Sequence, residues 1–350
     1  MTRMKYGRIK LILAAGVTVL CLTGCGDGKA KISEGMAAIT ALDYEGALAL
    51  FEEAQALSED ERLIARGKGI AYMGLTDYDR AIACFNESLS GSNGLISDID
   101  FDLNFYLAAA YSKNGQYAEA LGCYNAILAL RPDEKDAYLL RGNVRMELMD
   151  YSGAKEDFEK TISMEPLNYD RIIEIYECME HFGLGEDGKK YLQQALERKD
   201  KHMTAYNIGR MYYYLGEYQQ AYLALEEAKD KGGAESYLYL GKAYEATGDY
   251  NYAASVYNGY LHKYGENASV YNQLGLCEMK KKDYAKALEA FQNGKLLSDN
   301  EVMQSLSFNE IVAYENLGEY KEALKLLEQY IKNYPDDETA KRERRFLSTR

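Results

Sequence analysis

Residues 237–260 read YLYLGKAYEATGDYNYAASVYNGY and predict two short amphipathic helices around a tight turn. Apolar and small residues recur three to four positions apart on each side of Gly248, which gives each helix one apolar face. The Gly248-Asp249 dipeptide between them is a turn signal. A hairpin of this size cannot bury its apolar face by itself, so the stretch predicts further copies of itself along the chain.

Copies of this hairpin occur throughout the chain at intervals of 32 to 39 residues. One frame holds an alanine at Ala47, Ala81, Ala120, Ala154, Ala221, Ala253, Ala287 and Ala323, with Gly188 in the remaining slot. A tyrosine precedes it by three residues at Tyr44, Tyr78, Tyr117, Tyr151, Tyr218, Tyr250, Tyr284 and Tyr320. A small residue precedes it by twelve at Gly35, Gly69, Ala108, Gly142, Gly209, Gly241 and Gly275. A large apolar residue follows it by four at Phe51, Phe85, Tyr124, Phe158, Leu192, Leu225, Tyr257, Phe291 and Leu327.

This pattern resembles the tetratricopeptide repeat, numbered here so that the small residue is position 8, the tyrosine 17, the alanine 20 and the large apolar residue 24. The resemblance implies an all-α fold, a right-handed α-solenoid of about nine helix-turn-helix repeats over 30–337 with a capping helix at 338–350. The repeats are expected at about 28–61, 62–95, 101–134, 135–168, 169–202, 202–233, 234–267, 268–303 and 304–337.

The side-chain volumes at these positions have a packing logic of their own. We expect the small residues at positions 8 and 20 to face each other, so that the two helices of a hairpin cross closely. Bulk at positions 17 and 24 then fills the space between one hairpin and the next. The prolines Pro132, Pro166 and Pro335 all fall at position 32, where a helix has to end.

The charge balance restricts the class of partner. The net charge is −14, and it becomes −18 without residues 1–24, which carry four basic residues and no acidic one. Such a surface repels nucleic acid and anionic lipid, so no nucleic-acid partner is expected. The basic run at 341–345 is the local exception. We interpret it as part of a solvated capping helix, with a contact to a headgroup or a partner as the alternative.

Residues 1–24 have the features of an export signal. Four basic residues precede an apolar run from Leu11 to Leu22, which is too short to span a bilayer. Residues 22–25 resemble the bacterial lipobox, which implies a diacylglyceryl group on Cys25, with or without an N-acyl chain such as palmitate. Residues 25–29 would then be the lipidated N-terminus and a short tether. The expected location is the cell membrane, facing outside the cytoplasm, with the lipid as the sole membrane contact.

Two stretches depart from the regular pattern. SGSNGLISDID, at 90–100, lengthens the step between the second and third repeats, and we interpret it as a tolerated loop insertion rather than a binding loop. The fifth repeat has Tyr176 at position 8, Gly188 at position 20 and Gly185 at position 17. Its glycines should weaken the start of the second helix. We interpret it as a degenerate copy that still packs, with a joint between two arms as the alternative.

The sequence gives no pattern for a catalytic or metal site. Cys84 and Cys123 occupy equivalent positions of adjacent repeats, about 10 Å apart, which is too far for a disulfide. The three histidines share no spacing with each other or with a second ligand. No cofactor, metal site or catalytic residue is predicted, and the chain is expected not to be an enzyme. An unrecognised hydrolase is the least favoured alternative.

The resemblance implies a binding surface instead. In this family, positions 2, 5, 6, 9, 12 and 13 of each first helix line a concave groove that receives a protein or peptide. In the sixth and seventh repeats the candidate groove residues are Met203, Tyr206, Asn207, Arg210, Tyr213, Tyr214, Leu238, Tyr239 and Lys242, flanked by Glu235 and Glu245. Tyrosines beside cations are typical of partner-anchoring surfaces. Ordinary decoration in a tyrosine-rich chain is the alternative.

One known specificity of the family is not supported. The clamp for chaperone C-termini has lysine at position 5 and asparagine at position 9, then asparagine at position 6, then lysine at position 2 and arginine at position 6. Here Asn207 is at position 6, but Ile173 and Glu177 precede it, and Glu235 and Tyr239 follow. The predicted function is a membrane-anchored scaffold for protein interaction at the bacterial cell envelope. The alternative is an accessory subunit or assembly factor of an envelope machine.

Overall fold

The structure is a computed structural model that describes residues 30–92, 96–229, 231, 233–297 and 301–349. These residues form nineteen α-helices and no strand. The predicted signal segment, the tether and Cys25 lie outside the described residues. The chain divides into two compact units, Met1–Ala154 and Lys155–Arg350, and the division falls within α8 of the fourth repeat, not in the irregular fifth.

The first unit is a succession of helical hairpins. Its helices are α1 (Ala30–Thr40), α2 (Tyr44–Ala56), α3 (Glu61–Gly74), α4 (Tyr78–Ser90), α5 (Asp98–Lys113), α6 (Tyr117–Leu130), α7 (Lys135–Glu147) and the beginning of α8 (Tyr151–Met164). Each helix from α1 to α6 packs on the one that follows it, and α3 also contacts the first helices α1 and α5 of its neighbours. The first helices of successive hairpins therefore lie side by side.

The second unit repeats this arrangement. Its helices after α8 are α9 (Tyr169–His181), α10 (Gly185–Glu197), α11 (Ala205–Leu215), α12 (Tyr218–Lys229), α13 (Ala234–Ala246), α14 (Tyr250–Tyr264), α15 (Ala268–Lys280), α16 (Tyr284–Lys295), α17 (Met303–Leu317), α18 (Tyr320–Asn333) and α19 (Glu338–Leu347). The first helices α11 and α13 touch, as do α15 and α17. The all-α solenoid class is thus confirmed, and α19 packs on α18 through Ala340 and Leu347.

The turn inside each hairpin has one conformation in all nine repeats. Every second helix begins at position 17, including α10, which begins at Gly185 in the irregular repeat. Position 15 has a positive φ throughout, at Leu42, Thr76, Gly115, Met149, Gly183, Gly216, Gly248, Lys282 and Gly318. Glycine adopts this conformation without a steric cost, so the four repeats without it carry local strain. α6 and α18 end two residues before Pro132 and Pro335, as predicted.

Glycine at position 8 lies against the large residue at position 24 of its own hairpin, a contact that was not predicted. A Cβ added to Gly275 would lie 2.3 Å from the Phe291 ring at position 24 of the same hairpin, and one added to Gly241 would lie 2.4 Å from the Tyr257 ring. Glycine at position 8 therefore makes room for the bulk at position 24. In the fifth repeat Tyr176 occupies position 8 and packs over Gly188 at position 20.

Candidate partner-binding face

Four tyrosines form a connected cluster on the first helices of repeats six and seven. We call Tyr206, Tyr213, Tyr214 and Tyr239 the tyrosine cluster. The Tyr239 ring centroid lies 6.0, 5.7 and 6.0 Å from those of Tyr206, Tyr213 and Tyr214. The hydroxyls of Tyr214 and Tyr239 are 3.0 Å apart and share a hydrogen bond. All four side chains are half-buried, so each presents part of its ring to solvent.

Local helix geometry places the three cluster members of α11. Thr204 caps the helix by accepting a hydrogen bond from the Asn207 N–H at 3.2 Å. From that start, side chains three, four and seven residues apart share one face, which groups Tyr206 with Arg210, Tyr213 and Tyr214. Because α11 and α13 touch, Tyr239 on α13 completes the cluster.

Arg210 is a structural cation rather than an exposed one. Its side chain is buried, 8% exposed, and its Nη1 donates to the carboxylate of Asp170 on α9. Its guanidinium lies 5.0 Å from the Tyr206 ring centroid and 5.3 Å from that of Tyr239. The prediction placed Arg210 among groove residues available to a partner, but the structure uses it to join α9, α11 and α13. Burial also raises the pKa of Tyr206 to about 12, so this ring keeps its hydroxyl proton at neutral pH.

The other predicted groove residues lie around this cluster. Lys242 is exposed, with its Nζ 5.0 Å from the Tyr239 ring centroid. Leu238 is half-buried and packs against the core of the second unit. Met203 and Asn207 are half-buried at the N-terminal end of α11. The predicted residues of α11 and α13 are thus neighbours on one surface, which we call the first-helix face of repeats five to seven because α9 borders it.

Carboxylates from repeats five and seven border the tyrosine cluster. Those of the fifth repeat were not among the predicted groove residues. The Tyr214 hydroxyl donates to Glu177, the Tyr176 hydroxyl bonds Glu180, and the buried Tyr257 donates to Glu245. Burial raises the pKa of each of these three tyrosines, and the adjacent carboxylates act in the same direction. The hydroxyls therefore remain protonated donors.

The positional pattern could have identified two of these carboxylates. Glu177 and Glu180 occupy positions 9 and 12 of the fifth repeat, and both are exposed. The repeat was instead set aside as degenerate. The contact between Glu177 and Tyr214 joins residues 37 positions apart, and only the packing of α9 on α11 brings them together. The Tyr176 and Tyr214 rings, with centroids 5.3 Å apart, mark the same contact.

The first helices of the eighth and ninth repeats carry a second surface feature. A shallow depression of about 280 Å³ is lined by Leu276 and Met279 of α15 and by Asn309 and Val312 of α17. Beside it, the Asn309 side chain donates to that of Asn272 at 2.9 Å. This part of the surface is apolar and amide-rich, in contrast to the tyrosine cluster.

The part of the chain that the structure describes has neither a metal-binding cluster nor a membrane-spanning helix. Within the described ranges, no three His, Cys, Asp or Glu side chains are grouped so that they could hold a metal ion. Across the same part of the chain, no helix combines the length and apolar character needed to cross a bilayer.

Comparison with known proteins extends the sequence resemblance. Family models described as tetratricopeptide repeat match residues 32–94, 101–134, 206–301 and 308–337, together more than half of the chain. RNA polymerase II-associated protein 3 is 29% identical in Xenopus tropicalis over 119 residues, 34% of this chain and 17% of that protein. The Homo sapiens protein is 22% identical over 201 residues, 53% of this chain and 30% of that protein. The chain spans less than a third of the length of these relatives.

Among solved structures, a tetratricopeptide repeat protein from Parabacteroides merdae aligns over 80% of this chain and 96% of its own. The TM-score is 0.47 and the identity 14%. The family models, which match most of the described helices, identify the fold unit independently of this alignment. The chain belongs to the tetratricopeptide repeat family.

Proposed function

We propose that this protein is a scaffold that binds a protein or peptide segment on the first-helix face of repeats five to seven. The observation that carries the proposal is the tyrosine cluster: four half-buried rings on neighbouring first helices, linked by contacts of 5.3 to 6.0 Å.

The cluster has the physical properties of an anchoring surface. Each ring is held by its neighbours, so a partner would immobilise few side-chain rotors on binding, and the entropy cost of association would be low. Rings offer apolar area and hydroxyls offer hydrogen bonds, a combination that is enriched among residues that dominate binding energy. Lys242 adds an exposed ammonium at the edge of Tyr239.

We further propose that the scaffold acts at a bacterial cell envelope, tethered to the membrane through lipid on Cys25. The support is the order of a basic segment, an apolar run of 12 residues and a lipobox-like end in residues 1–25. Two acyl chains would give durable membrane residence, whereas one gives only marginal binding. In this setting the scaffold would hold a partner of an envelope assembly close to the membrane surface.

Site-specific photo-crosslinking tests the binding surface. A photoreactive phenylalanine derivative replaces Tyr213 in the full-length protein, and a matched control replaces Tyr252, an exposed tyrosine on α14 that lies outside the cluster. We expect residue 213 to crosslink a defined cellular protein that residue 252 does not. Tyr206→Ala and Lys242→Ala should weaken that crosslink while the far-UV circular dichroism stays unchanged. Equal labelling from both positions would contradict the proposal.

Lipidation has a separate test. Cells that express the intact chain or Cys25→Ala are labelled with radioactive palmitate and then fractionated. We expect label and membrane association for the intact chain and loss of both for Cys25→Ala. Cys84→Ala serves as the control, since Cys84 lies in α4 and should change neither readout. Membrane association of Cys25→Ala without label would contradict the tether.

A further inference from the structure

We propose that the segment bound on the first-helix face of repeats five to seven is basic, with arginine or lysine side chains held by Glu177 and Glu180 against the tyrosine cluster. The inference rests on the proposed function and adds the chemistry of the occupant.

The first observation is that carboxylates outnumber exposed cations on this face, although Lys242 acts electrostatically on Glu245 and Lys189 of α10 acts on Glu180. Glu177, Glu180 and Glu235 are exposed, and Glu245 is half-buried. Arg210 does not offset them, because its charge is taken up by Asp170. Among the described lysines and arginines of α9, α11 and α13, Lys242 is the exposed one. A basic segment is therefore attracted to the face and an acidic one is repelled.

The second observation is the kind of partner each carboxylate has. Glu177, Glu180 and Glu245 accept hydrogen bonds from tyrosine hydroxyls. A neutral donor orients a carboxylate but leaves its full charge, and each carboxylate has further lone pairs to accept a guanidinium or an ammonium. Asp187, outside this face, shows the contrast, since Lys155 at 2.5 Å and Lys190 at 2.7 Å lower its pKa to about 2.

The third observation is that the rings of the face already contact cations. Arg210 and Lys242 both lie within 5.3 Å of the Tyr239 ring centroid, so the ring faces are positioned for cation–π contacts. Glu180 and Glu245 both act electrostatically on the Tyr213 hydroxyl. A cation placed on the Tyr213 ring would therefore be attracted by both carboxylates as well as by the ring face.

The test measures binding of short fluorescent peptides to the full-length protein by anisotropy. Three peptides share one sequence, with arginine, glutamine or glutamate at the same alternate positions. We expect the arginine peptide to bind at least about tenfold more tightly than the glutamine peptide, and the glutamate peptide not to bind. Raising the ionic strength from about 0.05 M to about 0.3 M should weaken the binding of the arginine peptide and leave that of the glutamine peptide unchanged.

Charge-removing variants locate the effect. Glu177→Gln with Glu180→Gln should weaken the arginine peptide by about fivefold or more and leave the glutamine peptide unchanged. The control, Glu226→Gln with Glu227→Gln on α12, alters net charge by the same amount and should change neither. Tyr214→Phe keeps every charge and removes the hydroxyl that positions Glu177. It should cost less affinity than the double variant, with the same salt dependence.

The outcomes separate this inference from the proposed function. Equal binding of the three peptides, or an unchanged affinity in the Glu177 and Glu180 variant, overturns the charge inference while the crosslink from position 213 still supports the binding surface. Failure of every peptide to bind, with that crosslink intact, also overturns it. Loss of the crosslink overturns the proposed function itself. Circular dichroism melts of each variant exclude unfolding as the cause.

Discussion

Replacing Gly275 by alanine tests the packing rule that sets the hairpin geometry. An added Cβ would lie 2.3 Å from Cε1 and 2.6 Å from Cδ1 of Phe291, which is fully buried. Carbon atoms in contact are normally about 3.5–4.0 Å apart. The ring or the helix must therefore move by more than about 1 Å. An added Cβ would clash in the same way in other repeats, where Gly35 faces Phe51 and Gly69 faces Phe85, each pair again sixteen residues apart.

The expected change in stability combines two opposing effects. Alanine in a helix interior is favoured over glycine by about 1 kcal/mol. Overpacking a closed core costs about 1–3 kcal/mol. The difference between the two effects lowers the free energy of unfolding of Gly275→Ala by up to about 2 kcal/mol. Phe291→Leu alone leaves a cavity and costs about 1–2 kcal/mol, but in the double variant the alanine methyl occupies part of that space. The double variant should be more stable than additivity predicts by about 1 kcal/mol.

Urea unfolding followed by far-UV circular dichroism measures the four proteins of this cycle. If the free energy of unfolding falls with urea concentration at the same slope in all four proteins, the midpoints of their unfolding transitions can be compared as stabilities. Gly122→Ala is the control, since this exposed glycine lies within α6 and an added Cβ would have no atom within 4 Å. It should gain stability from helix propensity alone. If Gly275→Ala gains as much, or if the cycle is additive, the ring at position 24 is not what requires glycine at position 8.

Three further predictions concern other parts of the chain. Burial raises the pKa of Glu315 to about 7, above the value of about 4.5 in an unfolded chain, so ionisation destabilises the fold as pH rises through this window. Because the group is partly exposed, Glu315→Gln should be more stable by about 1–2 kcal/mol at pH 8, with no gain near pH 4.5 in thermal melts. Asp170→Asn should destabilise the protein by about 1–2 kcal/mol in urea, because it leaves the buried guanidinium of Arg210 without a counter-charge. Thr76→Gly should stabilise by about 1 kcal/mol, since φ is +60° there, whereas Gly115→Thr at the equivalent position should destabilise.

Much of the fold follows from the sequence because it depends on local rules. Tyrosine at position 17 and proline at position 32 mark where helices begin and end, and both are read directly from the spacing. The turn conformation was recognised only through glycines such as Gly248. At Thr76 and Lys282 the same positive φ occurs without glycine, because the packing of the two helices imposes it on whatever residue stands there. Local propensity has no signal for a conformation that tertiary contacts enforce.

The candidate face was only partly predictable because its chemistry is decided between repeats. Positions within one helix share a face by periodicity, so Tyr206, Tyr213 and Tyr214 could be grouped. Arg210 could not be assigned its role, since its carboxylate partner lies 40 residues away, and the register of α9 against α11 determines that they meet. A cation that is exposed by position in its own helix can thus be buried by the neighbouring one.

The irregular fifth repeat shows why departures from a repeat pattern are informative. The pattern encodes only how hairpins stack, and the bulky Tyr176 at position 8 fits because Gly188 lacks the methyl group that alanine has at position 20. This substitution places the Tyr176 hydroxyl on Glu180 and its ring 5.3 Å from that of Tyr214, which in turn holds Glu177. Tyr176, which breaks the pattern, therefore holds one carboxylate of the acidic border, that of Glu180. A repeat with alanine at position 8 would keep Glu177 and Glu180, but it would lack the hydroxyl that orients Glu180. In a stacked array of repeats, the residues that take no part in stacking can vary most in sequence. Those positions can therefore determine which partner is bound.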